Sequence, residues 1–314
     1  MKKLIFLIGI ILLVVGAVLF GTNYTKARAA AKEELKTNVI EINDEFQNVD
    51  IDIDTSDLTI KKSEDGKTKV ECVETEKIKH EVKVEDGKLI VIQHDTRKWA
   101  ETMFNFLYHD MKVTIYLAET NLNNLQAKVS TGEILIDKDL VFNVGEIKGS
   151  TGDVEISAQI KDSLTINLST GIINLKGINT KNLILKASTG KIVLKNINVE
   201  EKISINVSTG DIRLNDVTTA KLNISASTSD IFLTNTIASD DIIIKTSTGD
   251  VNFDHSDAAT LNVETSTGNI KGSLLTPKTF VVNADTDDVD VPRTNGGFCD
   301  ITTDTGKVKI TIVE

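Results

Sequence analysis

The sequence predicts an all-β chain: a β-solenoid, parallel β-helix-like, of about ten coils of 19 to 20 residues, behind an N-terminal transmembrane helix. Three observations predict it. A Ser-Thr-Gly tripeptide recurs at near-constant spacing, apolar residues alternate on both sides of it, and residues 4–20 form an uncharged apolar run.

The apolar run comes first in the chain. Lys2 and Lys3 precede Leu4 to Phe20 and then Gly21. About 18 residues at about 1.5 Å each reach roughly 27 Å, enough to cross a thin hydrocarbon core. Residues 1–21 are therefore expected to be a signal-anchor that is not cleaved. A cleaved signal peptide is the rival, since Ala27-Arg28-Ala29 has the small-x-small form, although that site lies well past the apolar run. Lys26, Arg28 and Lys32 compete with Lys2 and Lys3 for the inner side, but a short leading tail ordinarily stays inside. The body is thus expected on the outer face of a cell membrane. Residues 22–37, rich in Ala and charge, read as a helical stalk.

The repeat fills residues 119–314. Ser-Thr-Gly ends at Gly132, Gly152, Gly171, Gly190, Gly210, Gly249 and Gly268, with degenerate copies ending at Ser229, Asp287 and Gly306. An isolated early copy is read at Thr55-Ser56-Asp57. Before the turn, apolar residues fall at every second position, as in Leu164, Ile166, Leu168 and in Ile203, Ile205, Val207. After it they do so again, as in Ile192, Leu194 and in Val251, Phe253. Period two on both sides means two half-buried strands and two corners per repeat. Glycine supplies the positive φ at the sharp corner, and a looser corner is expected near Lys176 to Thr180. One such unit cannot bury its own apolar face, whereas stacked units share a core.

Residues 38–118 are expected to hold the first coil and a non-repeating β meander that caps the stack. Within it, Glu64-Asp65-Gly66 and Glu85-Asp86-Gly87 read as hairpin turns. At the other end no separate cap is evident. The last repeat runs to Ile312, where Asp304, Lys307 and Lys309 guard the edge by charge or a partner strand is received.

Composition narrows the function. A net charge of −11 argues against nucleic acid, which needs a cationic surface. The two cysteines, Cys72 and Cys299, have no metal or redox spacing, and Cys299 takes a core-facing place as a small hydrophobe. Aromatic residues are only 4% of the chain, yet Asp95 to Met111 holds the only Trp and a run of large side chains. Trp99, Met103, Phe104, Phe106 and Tyr108 are the candidate partner contacts; the alternative is a helix closing the first coil.

No catalytic constellation stands out. The four histidines lack ligand spacing, and no turn serine has a repeated histidine partner. Asp211, Asp230, Asp250 and Asn269 form a column after the turn, and Asp285, Asp287, Asp288, Asp290 and Asp304 gather near the last corners. A solvated acidic face is expected there in preference to a calcium site, because the glycine-rich calcium repeat is absent. No cofactor is expected. The chain reads as a non-catalytic module, the alternative being a glycan-active β-helix enzyme of the cell surface that uses the corner near Asp287.

The Ser-Thr-Gly-Asp-(Ile/Val)-x-(Leu/Ile) unit behind one apolar span, with the early copy at Asp54 to Ile60 and the strand Val113 to Leu117, resembles the bacterial putative-adhesin, β-strand-repeat domain of unknown function (DUF 4097), including its LiaG-like members. The likeness covers roughly residues 39–314. It implies an adhesin-like role at the cell envelope, associated with envelope stress, and carries over no catalytic residues. The partners it suggests are the membrane and an envelope protein or cell-wall polymer.

Overall fold

The computed structural model describes residues 35–97, 111–285 and 288–313. The expected anchor and residues 22–34 of the stalk lie outside them; the end expected as helix is instead strand from Lys36, where Thr37 pairs with Val73. Among the described residues no helix is long and apolar enough to cross a membrane.

Among the described residues all strands belong to one 21-stranded sheet wound on itself. The N-terminal part supplies β1 (Lys36–Ile42), β2 (Asn48–Thr55), β3 (Asp57–Lys62), β4 (Thr68–Glu74), β5 (Ile78–Glu85), β6 (Lys88–Asp95) and β7 (Lys112–Leu117). The repeats begin with β8 (Asn121–Thr131), β9 (Ile134–Ile136), β10 (Val141–Thr151) and β11 (Val154–Ile156). Next come β12 (Gln159–Lys176), β13 (Asn179–Thr209), β14 (Ile212–Thr228), β15 (Ile231–Thr248) and β16 (Val251–Thr267), which run through corners. The chain ends with β17 (Ile270–Leu274), β18 (Lys278–Ala284), β19 (Val289–Asp290), β20 (Gly297–Thr305) and β21 (Val308–Ile312).

The coils stack in parallel and in register. Leu164 pairs with Leu183, and Ile203 with Leu222, so equivalent residues form columns. The predicted apolar positions make a continuous aliphatic core: Leu164, Ile166, Ile192, Leu194, Ile203 and Ile205 are all buried. Each such side chain contributes about 1.5–3 kcal/mol by leaving water.

The result is a β-solenoid of about nine turns, where the spacing suggested ten coils. The turns also differ from a two-strand unit. In the middle coils a third short run is paired, as in Ile197↔Val217 and Ile237↔Asp257. The looser corner ahead of this run is a left-handed residue at Gly177, Asn196, Asp216, Asn235 and His255, with φ of 68°, 53°, 56°, 47° and 49°. Asn, Asp and His tolerate that region better than other side chains.

Register also corrects the early copy. Thr55 pairs with Thr131, so Ser56 takes the glycine place and Asp57 the position after it.

At the N-terminal pole the early coil is not outermost. β6 and β7 lie outside β2 and β3, parallel to them, and form a coil of their own. β5 and β4 add antiparallel strands outside these, and β1 adds one outside β4. The Asp86-Gly87 turn closes a true hairpin between β5 and β6, with both residues at positive φ. The Glu64-Asp65-Gly66 turn does not, because β7 inserts between β3 and β4. A sequence local to the turn carries no signal for a strand that arrives some fifty residues later.

The C-terminal pole mirrors this arrangement and overturns the expectation for the last repeat. β20 and β21 pair with β16 and β17 on one side and with β18 and β19 on the other. The final coil is interior, and the preceding one is the edge. Lys307 and Lys309 therefore do not guard an edge. They face Asp288 and Asp290 of the outer coil at 2.6 and 3.9 Å.

A buried clamp fixes this order. Lys278 on β18 is 2% exposed, and its Nζ lies 2.6 Å from Asp257 Oδ1 on β16, two coils away. It also donates to Ala258 O at 2.6 Å and Thr276 Oγ1 at 2.7 Å. Gly297 of the intervening coil leaves the path open, for a Cβ there would stand 3.2 Å from Nζ and 2.6 Å from Ala259 O.

Candidate functional site

The Ser-Thr-Gly corners form a ridge along the rod, and its chemistry is structural before it is anything else. A Cβ on Gly210 would meet Gly190 O at 1.7 Å, and one on Gly190 would meet Gly171 O at 1.8 Å. Both glycines also have φ in the region that L side chains avoid, 136° and 156°. Glycine is required twice over, by dihedral and by the approach of the next coil.

The acidic column beside the ridge has a similar use. Asp57 Oδ1 accepts from Glu133 N, Asp153 Oδ1 from Ile172 N, Asp230 Oδ1 from Asp250 N and Asp250 Oδ1 from Asn269 N, all at 2.8–2.9 Å. Each carboxylate caps a main-chain donor of the next coil, which would otherwise point at the corner unpaired. Asp211 is held instead by Arg213, 3.0 Å away, whose guanidinium lies over Phe232. Among the described residues no group of three or more His, Cys, Asp or Glu side chains is placed to hold a metal ion. Asp287, named for the glycan-active alternative, lies outside the described residues.

The aromatic segment joins the ridge at its N-terminal end. Trp99, Met103, Phe104, Phe106 and Tyr108 all lie outside the described residues, but both attachments of their segment are defined. β6 ends opposite the early copy, and β7 begins with Lys112 opposite Asp57. In chain order the segment therefore stands between two strands of the kind that other coils join with Ser-Thr-Gly. It is a corner insertion.

Polar contacts pin both its ends. Arg97 holds Asp95 through Nε at 2.9 Å and reaches Thr55 Oγ1 at 3.3 Å. The Asp95 carboxyl is held below its usual pKa; burial opposes the shift, and the hydrogen bonds from Arg97 outweigh it. Gln93 Oε1 accepts from Asp54 N and Thr55 N at 2.7 and 2.9 Å. Asp57 N donates to Met111 O at 3.0 Å, and Met111 is buried. Beside these attachments lies a cavity of about 380 Å³ lined by Ser56, Asp57, Met111, Gly132, Glu133 and Gly152. Its walls are the first corners of the ridge.

Two further groups stand at the same pole. His80 has a fully buried ring; its Nδ1 stands 3.4 Å from Glu74 Oε1 without good hydrogen-bond geometry, and its Nε2 makes no hydrogen bond. Its main-chain N–H donates to the Glu74 carboxylate at 2.8 Å. Burial lowers the His80 pKa, against the opposing pull of Glu74. A cleft of about 560 Å³ is lined by Glu41, Asp44, Glu45 and Glu119, with Lys67 facing Glu41 at 3.6 Å. Its carboxylates outnumber its ammonium group, so it offers no anion site. Both cysteines are buried, free thiols, each pushed up to about 12 by burial.

The sequence singled out the aromatic segment and the acidic column but missed the buried groups. Gln93, Lys278 and Asp257 carry no periodic signal, because each appears once and at a position the repeat would fill otherwise.

Solved structures share this architecture. A putative adhesin from Parabacteroides distasonis superposes with a TM-score of 0.53 at 14% identity, over 77% of this chain and 98% of that one. A putative adhesin from Parabacteroides merdae gives 0.52 at 17% identity, over 77% and 97%. A putative lipid binding protein from Parabacteroides distasonis gives 0.50 at 18%, over 76% and 98%. At these identities the likeness is one of fold. No curated protein matches the sequence. The Toastrack DUF4097 family matches it over residues 46–220 and again over 198–314, which together span nearly all of the solenoid. The chain belongs to the Toastrack DUF4097 family.

Proposed function

We propose that this protein is a non-catalytic, membrane-anchored rod on the outer face of the cell membrane that works as an adhesin-like scaffold and holds an envelope protein or wall polymer. The observation that carries the reading is the coincidence of two features at one pole. β1, whose first residues are the last of the expected stalk, and the two attachments of the corner insertion all lie at the N-terminal end of the stack. A solenoid anchored there carries its aromatic insertion close to the membrane, where neighbouring envelope components are met first. Aromatic side chains gathered in an aromatic-poor chain suit such a contact. A role in the response to envelope stress follows from the family resemblance. The name of the lipid-binding structural neighbour makes a lipid the second occupant to test.

The test is cross-linking capture from native membranes, with the intact chain beside a variant in which residues 98–110 are replaced by a short Gly-Ser link. The expected result is an envelope component held by the intact chain and lost by the variant. Protease applied to whole cells should reach the solenoid. Equal capture by both forms would move the partner surface off the insertion, and capture by neither, with the fold intact, would sink the reading.

A further inference from the structure

The two poles are finished differently. At the N-terminal pole three antiparallel strands cover the last coil, but β18 at the other pole pairs with β20 on one side and with no strand among the described residues on the other. Phe280, Val282 and Ala284 occupy core-facing places yet are only partly buried. Val281, on the opposite face, is 48% exposed, and Val289 on β19 is 41% exposed. Thr279 to Ala284 contains no charge and no proline, the usual protections of an edge.

The free hydrogen-bonding groups can be assigned. Asp285 N donates inward to Thr303 O. Alternation along the strand then turns the N–H and C=O groups of Phe280, Val282 and Ala284 outward. Lys278 belongs to the same outward set, and both of its groups are taken by the Thr294 hydroxyl, at 3.2 Å from N and 2.8 Å from O. One end of the edge is closed, and three residues remain open.

We propose that this edge pairs, antiparallel, with the same edge of a second copy about a two-fold axis at Val282. Directly opposed residues in an antiparallel pair point to one face, and a two-fold axis normal to the sheet preserves faces. Only registers that oppose residues of like parity are therefore allowed. The register centred on Val282 opposes Phe280 to the other copy's Ala284, large against small, and continues the apolar core across the junction. All three open residues then sit at hydrogen-bonded positions, giving about six main-chain bonds.

Charge agrees with the same register. Asp285 comes opposite Thr279 of the other copy, next to its crossing segment, where Thr294 binds Lys278. Arg293 in that segment is exposed and has no ion-pair partner among the described residues, so it is available to Asp285. Asp288 and Asp290 are already matched within the copy by Lys307 and Lys309. A foreign strand would satisfy the main chain equally but has no reason to match both the Phe280–Ala284 step and the Asp285–Arg293 pair.

The proposal is tested on the full chain in detergent. Val281 faces Asn283 of the other copy, with Cβ atoms about 5 Å apart, whereas Val281 faces its own counterpart only on a diagonal of about 7–8 Å. A mixture of V281C and N283C chains should form a disulfide-linked dimer about tenfold more readily than either alone; Cys72 and Cys299 are buried and stay out of the reaction. Val282→Pro removes an outward N–H that the single copy does not use. It should weaken dimerisation by about 30-fold through the two bonds lost while the melting of the fold is kept. If that variant unfolds, the cysteine pair still decides. A monomer up to about 100 µM would overturn the proposal. So would a dimer indifferent to the cysteine pairing, or an edge occupied by another protein's strand with no self-association.

Discussion

Gly210 shows how little freedom a corner residue has. Its φ of 136° and the 1.7 Å that would separate an added Cβ from Gly190 O both oppose a side chain there. Gly210→Ala is expected to cost about 3 kcal/mol or more, read as a lowered urea midpoint; a change under about 1 kcal/mol would mean the coils can spread. His80 gives a second handle. Burial holds its folded pKa below the ordinary value of 6.5, so the unfolded chain binds the proton more readily. Its contribution to stability is complete above about pH 6.5 and is lost as the pH falls below that value towards the folded pKa. Between about pH 7 and 5 the urea midpoint should therefore fall, and His80→Gln should flatten that slope. An unchanged slope would assign the acid sensitivity to the carboxylates.

At the scale of the element, the corner insertion and the clamp make opposite predictions. Residues 98–110 stand in the sequence where other coils need only a short turn, so exchanging them for a Gly-Ser-Gly-Ser link should leave the melting temperature within about 3 °C. A large loss would show that the segment is part of the core. Lys278→Met leaves Asp257 charged and buried without its partner, at an expected cost of about 3–5 kcal/mol in urea denaturation. Adding Asp257→Leu should recover most of that cost.

The legibility of these elements in the sequence differed for physical reasons. The Gly corners were plain because one residue type meets a demand that recurs every turn. The second corner was hidden, although just as periodic, because Gly177, Asn196, Asp216, Asn235 and His255 meet the same left-handed demand with four residue types. Leu89, Val91, Val113 and Ile115 carry the alternation of a coil, but the inserted corner between them disguised it as a meander. Coil order at the ends could not be read, since β18 and β20 present the same pattern to a neighbour.

Across the whole molecule, stability should grade from the middle towards one end. Coils from β12 to β15 are paired on both sides, whereas β18 is paired on one. Amide exchange should be slowest at Ile205 and Ile224 and fast at Phe280, Val282 and Ala284 in dilute protein. Protection of those three amides that grows with concentration would report the two-fold edge pairing directly. Uniform protection along the rod would contradict the gradient.

The interior position of the final coil has a consequence for synthesis. Residues 278–290 leave the ribosome before 297–312, and until the later residues exist, the earlier ones have only β16 and β17 to stack against. The finished order needs the last segment to enter between them, after which Lys278 can reach past Gly297 to Asp257. A chain that stops before residue 297 lacks the coil that this clamp spans. The fold thus ties the placing of residues 278–290 to a segment that is translated after them.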